Sequence, residues 1–194
     1  HVAIDRHRAP PPVHRSPRRY TPAVASNQIA QNIAFVNWTV LTGLAIGSYA
    51  AVFLLRRRTT ATSGFLGFTA GSAVVLGLLA WLSDGGLPTA LVDSPVVSDS
   101  AWTQPRATAL LAVWGLAAVA LLVRRVRPAA GSWVEAAALV AGALALVFAA
   151  LSWGGTSAAG IGALLVQFVV LAASAGGVLA AMMIACGLAL RSFD

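Results

Sequence analysis

Residues 167–181 read QFVVLAASAGGVLAA: one amide, one hydroxyl, two adjacent glycines and no ionisable group. The stretch lies inside an apolar run from Ala158 to Leu190 that stops at Arg191. A helix crosses the hydrocarbon core of a bilayer with about 20 apolar residues, so this run is long enough to span one and longer than it needs. At about 1.5 Å per residue it reaches roughly 50 Å, which calls for tilt, a kink or an overhang. Gly176-Gly177, beside Ser174, marks where a kink would fall.

Four more apolar segments precede it, over residues 35–55, 64–82, 107–123 and 134–152, each close to one bilayer thickness. With 158–190 they predict an all-α integral membrane protein of five transmembrane helices. Composition agrees. Of 194 residues, 58% are hydrophobic and 10% charged, with a mean hydropathy of +0.80, whereas soluble domains carry about a quarter charged residues. All 13 basic residues are arginine. They sit at segment ends and in the N-terminal region, which membrane topology explains without nucleic acid, and no aromatic–basic interleaving suggests a nucleic-acid partner.

The first 34 residues differ in kind. With five Arg, three His and five Pro, they cannot build an apolar core and are expected as an extended polar arm. Such an arm suits an acidic partner surface, with Arg15, Arg18 and Arg19 as contacts. The chain begins with His1 rather than Met, so a processed or truncated product is expected, and a removed signal peptide is one route to it.

Orientation follows from arginine counts. Loops 56–63 and 124–133 and the C-terminus carry seven Arg; loop 83–106 and turn 153–157 carry Arg106 against Asp84, Asp93 and Asp99. The positive-inside rule then puts the N-terminus outside and the C-terminus on the cytoplasmic side, favouring a bacterial inner membrane, with an organellar membrane as the alternative. Trp38, Trp81, Trp102 and Trp153 fall near one membrane face and Trp133 near the other, as an interfacial aromatic belt would.

Candidate chemistry is sparse. His1, His7 and His14 all lie in the arm, so no segment offers imidazole to a haem, and Met182 or Met183 alone is a poor ligand. Cys186 is the single cysteine, and neither a CxxCH motif nor an iron–sulfur ligand set exists. The serines of the spans have no His or Lys base beside them. No catalytic residue, metal site or resident cofactor is therefore expected, although lipid, quinone or pigment could lie in apolar grooves between helices. Two polar residues stand out. Glu135 is expected as a charged group in the first turn of the fourth helix, neutralised by Arg124, Arg125 or Arg127. Gln167 is expected to hydrogen-bond between helices or sit near the interface.

Small residues are abundant at packing intervals. Gly43 and Gly47 form one GxxxG pair and Gly67 and Gly71 another. In the fifth segment Ala172, Gly176 and Ala180 form one ridge, and Ala173, Gly177 and Ala181 form a second beside it. Ridges of this kind let membrane helices approach closely. The expected function is a non-catalytic accessory subunit of a larger membrane complex, respiratory or photosynthetic, whose partners are other membrane subunits and lipids. The alternative is a small transporter or channel component for a neutral or apolar solute, with Thr42, Ser48, Tyr49, Thr69, Ser72 and Gln167 along its path.

Overall fold

A computed structural model describes residues 22–58, 63–87, 98–155 and 160–191. Arg15, Arg18 and Arg19 lie outside them. Five helices follow in order: α1 Pro22–Arg58, α2 Ser63–Asp84, α3 Ser100–Val126, α4 Pro128–Gly154 and α5 Gly160–Arg191. No strand occurs among the described residues, and all five helices are long and apolar enough to cross a membrane.

α1, α3 and α4 begin well before their apolar segments, at a first-turn proline or an aspartate cap. α1 starts at Pro22 rather than Phe35, so residues 22–34 are helical instead of extended. Proline suits a first helical position because the N–H it lacks would have no intrahelical partner there. Its other end, Arg56-Arg57-Arg58, places positive charge against the C-terminal end of the helix dipole. Asp99 caps α3, its carboxylate accepting from the Ala101 N–H at 2.9 Å. This early start moves Arg106 out of the expected loop to about two turns inside the helix. α4 likewise begins at Pro128 rather than Val134, so Glu135 is about two turns in and beyond the reach of the terminal dipole. The expectation of a first-turn charge is corrected accordingly.

Each helix packs on the next, and α5 returns along α1 to close the bundle. Between α3 and α4 there is no loop to speak of. Arg127 N donates to the Val123 carbonyl at 2.7 Å, Pro128 starts the next helix, and Gly131 N donates to the Arg127 carbonyl at 3.0 Å. A Cβ on Gly131 would come within 2.8 Å of the Arg124 Cβ, so the elbow needs glycine at that position. α4 presents Ala138, Ala141, Ala145 and Ala149 inward at helical spacing, which brings neighbouring backbones close. α5 runs as one helix through Gly176-Gly177.

The aromatic belt needs revision. Trp133 is exposed, but Trp38 and Trp153 are among the most buried side chains of the described bundle. They join Phe35 and Phe168 in a cluster of ring contacts at one end, with centroids 4.9–6.4 Å apart. Their amphipathic rings face a buried charge instead of the membrane interface.

Candidate functional site

Two buried charged centres occupy opposite ends of the bundle. At the first, the chain turns from α2 to α3. Asp84 ends α2 and Arg106 lies on α3; guanidinium Nε donates to Asp84 Oδ1 at 2.8 Å. Arg106 is 1% exposed and Asp84 7%. A second guanidinium nitrogen, Nη1, donates to Ser152 Oγ on α4 at 2.9 Å, and the Ser152 and Ser98 hydroxyls share a hydrogen bond of 2.8 Å. The guanidinium carbon stands 5.3 Å from the ring centroids of both Trp38 and Trp153. Backbone reinforces the junction, with Asp99 N donating to the Ser152 carbonyl at 2.8 Å. Four of the five helices are thus tied to one side chain.

Burying a lone guanidinium would be prohibitive. Here a carboxylate neutralises it, a hydroxyl takes another N–H, and two indole faces supply cation–π attraction, which strengthens on desolvation. A cleft of about 420 Å³ reaches Asp84 and Arg106 from beside Trp81 and Gln104.

At the second centre Glu135, 2% exposed, lies between two arginines. Arg56 from α1 pairs with its Oε1, and Arg124 from α3 donates to Oε2 at 3.1 Å. Arg56 also reaches the Leu66 carbonyl of α2 at 3.5 Å. Arg124 is among the neutralising groups expected from sequence; Arg56 replaces Arg125 and Arg127 as the other. A bland helix cap would be solvated, whereas this carboxylate joins α1, α3 and α4.

The glycine pairs separate into two kinds. Gly43 and Gly47 meet Ala172 and Gly176 where α1 crosses α5; a Cβ on Gly47 would overlap the Ala172 carbonyl, and one on Gly176 the Gly47 backbone. At Gly67 and Gly71 the Cβ direction is open: a Cβ on either meets nothing within 4 Å. On α5, Ala173, Gly177 and Ala181 are exposed, and Gln167 is exposed on the same helix. Among the residues considered for a solute path, Thr42 and Tyr49 are buried with hydroxyls that have no hydrogen-bond partner among the described residues. Ser48 and Thr69 are buried and return their hydroxyls to their own helix, to the Leu44 and Phe65 carbonyls.

No group of three metal-ligating side chains occurs among the described residues. Arg106 is the buried charged residue that sequence reasoning placed in a loop. Its signal was available: a lone Asp closes one apolar segment and a lone Arg opens the next, and ionisable groups at the edge of a span tend to pair. No family model, curated protein or solved structure matches this chain.

Proposed function

We propose that this chain is a non-catalytic subunit of a larger membrane assembly, embedded through its five helices with the arginine-rich end on the cytoplasmic side. The observation that carries the proposal is the divided use of α5. One small-residue ridge, at Ala172 and Gly176, is consumed by α1, while the parallel ridge of Ala173, Gly177 and Ala181 is exposed with open space at Gly177. Close-approach surfaces matter most in lipid, where packing rather than hydrophobicity drives helices together. The interior supports a structural role as well, since Arg106, Asp84, Glu135 and Arg56 are all engaged in ion pairs.

In its narrower form the proposal is a respiratory or photosynthetic complex of a bacterial inner membrane, its redox groups carried by partner subunits. The test is purification in mild detergent through a C-terminal tag, with mass spectrometry of co-purifying chains and a visible absorption spectrum. Stoichiometric membrane subunits are expected, and haem or chlorophyll bands would identify an electron-transfer complex. A colourless protein that runs alone would overturn the proposal and bring forward transport of a neutral solute, for which flux into liposomes holding the purified chain is the assay.

A further inference from the structure

The Arg56–Glu135–Arg124 centre borders an open space. A cleft of about 870 Å³ lies beside it, lined by Arg56, Arg124 and Arg125 and by Gly67, Phe68 and Gly71 of α2. This is within the size range of small-molecule sites, about 300–1,000 Å³. The two walls differ in chemistry. On the arginine side, three guanidinium groups face one carboxylate: Arg56 and Arg124 share Glu135, and Arg125 pairs with no carboxylate among the described residues. The surplus is two positive charges. On α2, Gly64, Gly67 and Gly71 fall on one helix face at intervals of three and four, and a Cβ on any of them would meet nothing within 4 Å. Exposed Phe68 stands at the rim.

We propose that this cleft holds an anionic phospholipid, its phosphate among Arg56, Arg124 and Arg125 and an acyl chain along the bare backbone of Gly67 and Gly71. Guanidinium groups match phosphate oxygens in charge and in paired N–H geometry. Glu135 keeps Arg56 and Arg124 in place without cancelling them. A free inorganic anion would use the arginine wall and leave the apolar wall uncovered; a zwitterionic lipid would cover the apolar wall and leave the surplus charge unmatched. An anionic lipid answers both. The same end of the bundle carries Arg57, Arg58 and Arg127 as well, against no further described carboxylate, which is the charge pattern that attracts anionic headgroups. The inference requires that the chain lie in a bilayer and does not require protein partners, so its failure and that of the subunit proposal are separable.

The test is native mass spectrometry of the full chain, delipidated in mild detergent and offered phosphatidylglycerol, phosphatidylcholine or inorganic phosphate. Wild-type protein should retain phosphatidylglycerol at least about fivefold better than phosphatidylcholine, and equimolar inorganic phosphate should not displace it. Arg125→Gln, at an exposed position, and Gly71→Leu, which fills the trough, should each lower phosphatidylglycerol retention by about fivefold with an unchanged unfolding midpoint. Arg127→Gln, outside the lining, should lower retention less than Arg125→Gln does. Equal retention of the two lipids, full retention by both cleft variants, or displacement by equimolar phosphate would each overturn the assignment.

Discussion

Removing the charge of Arg106 should destabilise the bundle more than any exposed substitution, and the geometry says by how much. Arg106→Met keeps the approximate length of the side chain but deletes the donors to Asp84 at 2.8 Å and Ser152 at 2.9 Å and both indole contacts. Asp84 is then a buried carboxylate with no counter-charge. Breaking a buried pair from one side costs about 3–5 kcal/mol; uptake of a proton by Asp84 limits the loss to the lower part of that range. Asp84→Asn leaves a buried guanidinium still facing Trp38, Trp153 and Ser152, and should cost about 3 kcal/mol. Once either partner is gone, the other is no asset, so Asp84→Asn/Arg106→Met should cost clearly less than the sum of the singles. For a chain of this size about 1 kcal/mol corresponds to about 2–4 °C in the unfolding midpoint. The single variants should therefore melt about 6–16 °C below wild type. Tryptophan fluorescence during thermal unfolding in detergent is the natural assay, because Trp38 and Trp153 flank the substituted group. Single variants within about 1 kcal/mol of wild type, or strictly additive losses, would refute the assignment of this pair as a structural lock.

Three further outcomes follow from the same structure. Glu135→Gln strips Arg56 and Arg124 of their shared carboxylate and should cost about 3 kcal/mol, part of the penalty being relieved because Arg124 is one-third exposed; thermal unfolding reads it. Gly176→Leu and Gly177→Leu, neighbours in sequence, should behave oppositely: the first forces α1 from α5 and costs at least about 1–3 kcal/mol, while the second leaves the melting temperature of the isolated chain unchanged. Asp99→Ala removes the α3 cap and should cost about 0.5–2 kcal/mol, seen as an earlier onset of unfolding.

Hydropathy made the five spans legible because each apolar run approaches a bilayer's thickness, a signal that survives without tertiary knowledge. Helix ends were read less well. Residues 22–34, 100–106 and 128–133 look polar or loop-like, yet proline, an aspartate cap and a one-residue elbow let helix continue through them. That shift of a turn or two explains the errors at the site. Arg106 reads as a loop charge and Glu135 as a first-turn charge at the interface, and the added turns carry both into the interior. Trp38 and Trp153 were assigned to an interfacial belt by depth along the helix, but depth says nothing about which side of the helix they occupy. The glycine spacing was visible throughout. Which pairs are filled by neighbours and which are bare depends on how the helices are rotated, and periodicity alone does not encode that.

The central claim is that the ridge of Ala173, Gly177 and Ala181 meets another protein in the native membrane. The most direct measurement places a photo-crosslinking residue at Gly177 in the full chain, irradiates intact membranes and identifies the products by mass spectrometry, with Val140, an exposed position of α4, as the comparison. A single discrete protein adduct from position 177, absent from position 140, is the expected result. Labelling of lipid alone at 177, or the same scattered adducts from both positions, would contradict the account.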